Sequence, residues 1–115
     1  MGNLLNSLST ELRRGTLTLA VLSQLRNPQY GYSLVQLLEG AGISIEQSTL
    51  YPLLRRLEKQ ELVTSSWDTS ESRPRKYYVL SEYGFEIFLQ LKKEWIENSK
   101  ELYSLLKGGE VDGFN

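Results

Sequence analysis

The sequence predicts a mainly α-helical fold with one small β-hairpin (α+β), and three observations support this class. Apolar residues recur at steps of three and four over much of residues 4–25 and 81–106, which is the spacing of one face of an α-helix. Residues 62–67 and 76–80 are rich in β-branched and aromatic side chains, and the polar residues 68–73 between them are typical of a hairpin loop. The 115-residue length suffices for one domain with a modest core.

The elements between the long helices follow from local signals. Asn27 and Pro28 end the first helix, and a second helix is expected over residues 31–39 before the permissive glycines at 40 and 42. Residues 43–45 are too short for more than one extended step.

A third helix is expected to be capped by Ser48, with Leu50, Leu53, Leu54 and Leu57 facing inward. If this helix instead begins at Glu46, Pro52 would bend its first turns. Ser81 is expected to cap the last helix.

Composition narrows the function. The chain has neither cysteine nor histidine, so disulfides, thiolate metal sites and the commonest general base are absent. We therefore expect no catalytic residue, no metal site and no cofactor. The apolar runs are far shorter than the roughly 20 residues of a membrane span, and the N-terminus lacks a basic region before an apolar core, which predicts a cytoplasmic protein.

The net charge of -1 alone would argue against a nucleic-acid partner. The charge is unevenly distributed, however: residues 1–80 hold nine Lys or Arg against seven Asp or Glu, whereas residues 81–115 hold four against seven. The chain is thus weakly basic where the third helix and the hairpin lie and acidic in its last part, although random scatter would also give so small an asymmetry.

A short helix followed by a basic hairpin is the layout of a winged helix-turn-helix that binds duplex DNA. Short polar side chains at the start of the third helix could reach base edges, Arg55 could bind a guanine edge or a phosphate, and the remaining cations could bind the backbone. The predicted DNA-binding residues are Gln47, Ser48, Thr49, Tyr51, Arg55, Arg56, Lys59, Arg73, Arg75 and Lys76.

Several residues in and near this set could have a structural role in place of DNA contact. Arg55 or Arg56 could pair with Glu58 or Glu39 instead. Tyr77 and Tyr78 alternate across a strand, so one of them is expected in the core, as is at least one of the two tyrosines that flank Gly31.

The last helix predicts a homodimer. At about 1.5 Å per residue it would be about 39 Å long, more than a body of this size can cover, so part of its apolar stripe needs another chain or must fold back on its own domain. The predicted interface combines this helix with the leucine-rich first helix and comprises Leu4, Leu5, Leu8, Leu12, Phe88, Leu91, Trp95, Leu102, Tyr103 and Leu106. Trp95 could fill that interface or line a cavity for a flat apolar effector.

Five segments, in this order and spacing, together resemble the PadR family of bacterial transcriptional regulators. They are Arg14-Gly15-Thr16-Leu17, Tyr30-Gly31-Tyr32-Ser33-Leu34, Thr49-Leu50-Tyr51-Pro52-Leu53-Leu54-Arg55-Arg56-Leu57-Glu58, Trp67, and Arg73-Pro74-Arg75-Lys76-Tyr77-Tyr78-Val79-Leu80-Ser81 with Gly84. The short, single-domain branch of the family is the better match.

The resemblance implies a homodimeric repressor that inserts its third helix into the major groove of an inverted-repeat operator, and Trp95 as a site for aromatic ligands. It implies a DNA-binding domain over residues 1–80, a dimerisation helix over 81–107 and a flexible tail over 108–115. The chain departs from the family at Gln60 and Glu61, where glycine or Asn-Gly is usual. A left-handed helix exit costs more at Glu61 than at glycine, so the turn and the aim of the wing are expected to differ locally. A winged-helix module that binds another protein and not DNA remains the alternative.

Overall fold

The computed structural model describes residues 2–108 and has four helices and three strands in that range. The helices are α1 (Gly2–Ser23), α2 (Gly31–Gly40), α3 (Gln47–Lys59) and α4 (Glu82–Lys107). The strands are β1 (Gln29–Tyr30), β2 (Val63–Asp68) and β3 (Arg75–Leu80). The predicted α+β class is confirmed, whereas the tail predicted at residues 108–115 lies outside the described residues from 109 onward.

The sheet has one strand more than the predicted hairpin. It is antiparallel in the order β1-β3-β2, and the two-residue strand β1 pairs Tyr30 with Tyr77 and Gln29 with Tyr78. The hairpin of β2 and β3, which we call the wing, pairs in register from Val63 with Leu80 to Asp68 with Arg75. Residues 43–45, expected as one extended step, form no strand, and Ile45 is buried there.

One core joins all four helices to the sheet. Most of its members are leucines from the end of α1, from α2 and from α3, and Phe88 closes it from α4. The core consists of Val21, Leu22, Leu25, Leu34, Leu38, Ile45, Leu50, Leu53, Leu54, Leu57, Val63, Tyr78 and Phe88. The first turns of α4 are therefore built into the same body as the wing, and the separation of 81–107 as a dimerisation element stays a prediction.

The start of α3 differs from the prediction. Glu46 is the N-cap residue and the helix begins at Gln47, so Ser48 does not cap it. The amides of Thr49 and Leu50 both donate to the Glu46 carbonyl at 2.9 Å, which places Ser48 in the first turn. Pro52 lies inside the helix, where its missing amide leaves the Ser48 carbonyl without a helical partner.

The two junctions of the wing compare differently with the predictions: the Ser81 cap agrees, whereas the turn at Glu61 was expected to differ locally. Glu61 has φ of 64°, so the chain keeps the left-handed exit from α3 without a glycine. The Ser81 hydroxyl caps α4 by accepting a hydrogen bond from the Gly84 amide at 2.8 Å, and it donates to the Glu61 carbonyl at 2.7 Å. A Cβ at Gly84 would overlap the carbonyl oxygen of Leu62, so glycine is required where α4 crosses the start of the wing. These contacts set the angle between α3, the wing and α4.

Candidate DNA interface

Helix α3 turns its polar side away from the core. Its four leucines are buried, whereas six of the seven predicted DNA-binding residues on this helix are exposed: Gln47, Ser48, Thr49, Arg55, Arg56 and Lys59. Tyr51 is the seventh, and it is half-buried. An exposed polar face about 13 residues long is the size that a B-DNA major groove admits.

Tyr51 is half-buried because it packs on the start of α2. Its ring and hydroxyl lie directly against Gly31, where no side chain intervenes, and Gly31 itself is buried. This contact fixes the distance between α2 and α3, and it still leaves the tyrosine on the wall of the cleft described below.

Replacing Gly31 with alanine tests this close approach. The added methyl group would overlap the Tyr51 ring, so we expect a loss of about 1 to 3 kcal/mol in the free energy of unfolding. Urea denaturation followed by circular dichroism measures it. Gly40→Ala, at the other end of α2, is the matched control, because no atom lies within 4 Å of its Cβ position. Equal stability of both variants would contradict the packing argument.

A cleft of about 690 Å³ opens between the start of α2, helix α3 and the wing. Four cations line it, namely Arg55 from α3 and Arg73, Arg75 and Lys76 from the wing, and no carboxylate does. Cations attract phosphate, and the Glu58 carboxylate, 3.8 Å from Lys76 Nζ, offsets only one of the four charges. This side of a nearly neutral chain can therefore bind a polyanion. Aromatic side chains form much of the remaining wall.

Two tyrosines, Tyr30 and Tyr77, contact Arg75, the first residue of strand β3. The Arg75 guanidinium lies 4.7 Å from the centre of the Tyr30 ring, and a hydrogen bond with the Tyr77 side chain raises the pKa of Arg75. The Tyr30 and Tyr77 rings meet edge to face with centroids 5.4 Å apart. Arg75 therefore presents its charge beside the Tyr30 ring.

The outgoing strand of the wing ends in a local turn. The Ser70 amide donates to Asp68 Oδ1 at 3.0 Å, and this hydrogen bond lowers the pKa of Asp68. Arg73, the remaining wing cation, is exposed in the connection that follows.

The alternative pairing of Arg55 or Arg56 with an acid does not occur. The ion pair found within residues 2–108 joins Lys76 Nζ to Glu58 Oε1 at 3.8 Å, so the Glu58 carboxylate faces a different predicted DNA contact. The expectation for Tyr77 and Tyr78 is confirmed, since Tyr78 is buried. The expectation that Tyr30 or Tyr32 lies in the core is wrong: Tyr30 is half-buried and Tyr32 is exposed.

The predicted DNA-binding set omitted six residues that line the cleft. These are Tyr30, Gly31, Tyr32, Trp67, Pro74 and Tyr78. Strand β1 brings Tyr30 next to β3, and Trp67 extends the α3-facing side of β2 beyond the core. The signal for Trp67 was its position two residues beyond Ser65 and four beyond the buried Val63, which puts all three on one face of the strand.

A second surface lies at the other end of the molecule. We call it the α1–α4 apolar surface, and it consists of Leu4, Leu5, Leu8, Leu12, Leu91, Trp95, Leu102, Tyr103 and Leu106, which are 37% to 78% exposed. These are the predicted interface residues except Phe88, which is 8% exposed and belongs to the chain's own core. Phe88 therefore has little surface to offer a partner. The alternative in which α4 folds back entirely on its own domain is wrong, because Leu91, Trp95, Leu102, Tyr103 and Leu106 on this helix remain exposed.

Trp95 borders a groove between α1 and α4. The groove has a volume of about 470 Å³, and Ala20, Leu38, Phe88 and Ile96 supply apolar atoms to its wall. Trp95 itself is 49% exposed, so about half of the residue's surface is open to solvent.

A wing packed against a helix-turn-helix, with cations on one side of it, defines the winged-helix class of proteins. The model of the PadR-like family of transcriptional regulators matches residues 18–90, more than half of the chain. The chain belongs to this family, which is one of regulators and not of enzymes. No helix among the described residues is long and apolar enough to cross a membrane.

Three relatives illustrate the range of similarity. An uncharacterised protein of Lysinibacillus sphaericus is 32% identical over 105 residues, 87% of this chain and 95% of that protein. The crystal structure of a PadR family transcriptional regulator from Eggerthella lenta has a TM-score of 0.85 at 45% identity, covering 94% of this chain and 96% of that one. Bacillus subtilis PadR, solved in complex with operator DNA, shares the fold alone, with a TM-score of 0.61 at 23% identity over 66% of this chain and 45% of that one.

Proposed function

We propose that this protein is a homodimeric, sequence-specific repressor that binds an inverted-repeat operator in double-stranded DNA in the cytoplasm. The observation that carries the proposal is the cleft in which Arg55, Arg73 and Arg75 meet without a carboxylate partner, beside Lys76, whose ammonium group lies 3.8 Å from Glu58. Helix α3 would enter the major groove with its exposed polar face, and the wing arginines would lie on the flanking phosphates or in the minor groove. Bacillus subtilis PadR, which shares this fold, was solved in complex with operator DNA, and this supports operator DNA as the partner.

The α1–α4 apolar surface supports the proposed dimerisation. The leucines at positions 4, 5, 8 and 12 are all at least 54% exposed, along a helix whose first part contributes nothing to the core. A second copy would cover them and set two copies of α3 about one helical turn of DNA apart. With a balance of only +2 over residues 1–80, one copy alone would hold duplex DNA weakly at physiological salt.

Binding to the region upstream of its own gene tests the proposal. We expect fluorescence anisotropy to show specific binding to an inverted repeat, with log K falling linearly as log salt rises, and a scrambled repeat to bind about 10³-fold more weakly or worse. The competing function is a winged-helix module that binds a protein, which the net charge of -1 favours. Salt-insensitive binding, or none to any candidate repeat, would select that alternative.

We further propose that a small, flat, apolar effector relieves DNA binding by stacking on Trp95. The support is the half-exposed indole beside an apolar groove of about 470 Å³ that a second chain would enclose. In a Trp67→Phe background, which leaves Trp95 as the sole tryptophan, planar aromatic ligands should quench its fluorescence saturably. Trp95→Phe should in turn abolish ligand release of the operator. No saturable quenching across a broad panel would leave Trp95 as interface filler.

A further inference from the structure

Glu58 is an acid inside an interface that otherwise requires cations. It lies one turn beyond Arg55 on α3, and its two carboxylate oxygens reach both strands of the wing. Oε2 accepts a hydrogen bond from the Ser65 hydroxyl on β2 at 2.5 Å, and Oε1 lies 3.8 Å from Lys76 Nζ on β3. Glu58 thus ties the helix that would enter the groove to the wing that would lie beside it.

The strand register shows why Lys76 is the wing cation that Glu58 reaches. Ser65 pairs with Tyr78 and Trp67 with Lys76, so these four residues lie on one face of the hairpin, the face that packs on α3. Tyr78 on that face is buried, and Lys76 Nζ lies 5.5 Å from the centre of its ring. The Lys76 side chain is therefore directed along the hairpin toward α3.

The neighbouring cations are placed differently. Arg75 alternates to the opposite face of β3, where it lies over the Tyr30 ring, and Arg73 is exposed in the connection between the strands. Among residues 2–108, neither arginine forms an ion pair with a carboxylate, whereas Lys76 pairs with Glu58. The wing's cations are thus of two kinds, one neutralised by an acid of α3 and two available to phosphate.

We propose that Glu58 is a positioning residue that holds Lys76 on the α3 face of the wing and keeps it out of phosphate contacts when DNA is bound. The inference rests on the proposed DNA-binding function and sharpens it. Arg73 and Arg75 become the wing's phosphate contacts, and Lys76, predicted from sequence as a third, becomes the link between wing and helix. The chain gives up one phosphate contact per protomer and gains a fixed angle between its two DNA-contacting elements.

The salt dependence of operator binding measures how many phosphates the protein neutralises, with a change in slope of about 0.9 for each. Glu58→Gln keeps the side-chain size and an oxygen for Ser65, but it releases Lys76. We expect this variant to steepen the slope by about 0.9 per protomer. The same steepening should appear in an Arg75→Gln background, the matched control from the adjacent position, and it should disappear in a Lys76→Gln background.

Two results would overturn the inference. One is an unchanged slope for Glu58→Gln in the wild-type background. The other is an equal steepening with and without Lys76, because Glu58 would then act on the DNA directly and not through the lysine. Glu58→Asp gives a second route, since it keeps the charge but withdraws the carboxylate from Lys76. We expect it to steepen the slope as well, and an unchanged slope would count against the inference.

Failure of this inference is distinguishable from failure of the proposed function. If the wild-type protein binds no inverted repeat in a salt-dependent way, the proposed function fails. If the wild-type protein binds with a clear salt slope and only the Glu58 variants depart from expectation, the repressor assignment stands and Lys76 returns to the set of phosphate contacts. Thermal melting of each variant confirms that the compared chains are folded.

Discussion

A chain carrying Leu12→Asp is expected to be monomeric at micromolar concentration and to lose specific operator binding. Leu12 is 78% exposed within one chain, so the substitution leaves the monomer's core intact. In a dimer closed over the α1–α4 apolar surface, two copies of the new carboxylate would be buried without partners, and each would cost several kcal/mol. DNA binding should then fall from the range of specific complexes to that of non-specific ones, about 10³-fold or more.

Sedimentation and anisotropy on the same samples measure the two losses together. Asn6→Asp is the matched control: it adds the same charge to the same helix at an exposed position, but on the side away from the leucines. We expect it to remain a dimer with nearly unchanged affinity. A Leu12→Asp protein that still sediments as a dimer would remove α1 from the interface, and Leu102→Asp would then show whether α4 dimerises without it.

The physical need for a partner is clearest in the first half of α1. Val21 and Leu22 near its end are fully buried, whereas the four leucines near its start contact no core. An isolated helix of fewer than about 12 to 15 residues is only marginally stable in water, so tertiary contacts must hold this segment. In the proposed homodimer, a second chain would supply these contacts to both copies of α1 symmetrically.

Periodic patterns predicted most of the fold because they are local. The apolar spacing placed α2 within one residue of its observed end, and Ser81 marked the start of α4. The two-residue strand β1 carries no such pattern. It exists because Gln29 and Tyr30 pair with Tyr78 and Tyr77, which lie far away in the sequence, and such pairing leaves no trace in a short window.

The start of α3 was missed for a related reason. Ser48 is a good capping residue, and local preference alone favours it. Burial of Ile45 instead fixes how the chain enters the helix, so Glu46 takes the cap position and Ser48 falls in the first turn. Tertiary packing outweighed a preference worth about 1 kcal/mol.

In the candidate site too, local patterns predict some features, whereas others depend on tertiary contacts. Exposed cations on α3 and the wing could be named from the sequence, because their positions on an amphipathic helix and an alternating strand are predictable. Which of them carries an acid partner could not. Pairing of Glu58 with Arg55 or Arg56 was the alternative that the sequence left open. Glu58 instead reaches Lys76, a contact made only once the hairpin folds onto α3.

Arg55→Ala is expected to cost the protein its ability to distinguish the operator from other DNA. Arg55 is exposed, is not held by Glu58 or Glu39, and lines the cleft between α3 and the wing. A guanidinium that binds a guanine edge through two hydrogen bonds contributes about 1 to 3 kcal/mol of discrimination. Loss of that contact in both half-sites of a dimer should therefore lower the preference for operator over a scrambled repeat by about 2 to 6 kcal/mol.

Anisotropy titrations of each variant against operator and scrambled DNA measure this preference. Arg56→Ala is the matched control, because it removes the same charge at the next position, which does not line the cleft. Arg56→Ala should weaken binding to operator and to scrambled DNA by the same factor. It should also flatten the salt dependence of log K by about 0.9 per protomer. Arg55→Lys should lose the preference for operator over scrambled DNA as Arg55→Ala does, because lysine lacks the planar guanidinium fork. It should keep the wild-type salt dependence of binding, because lysine keeps the charge. If Arg55→Ala weakens operator and scrambled DNA equally, Arg55 is a phosphate contact, and base recognition must rest on the polar residues at the start of α3.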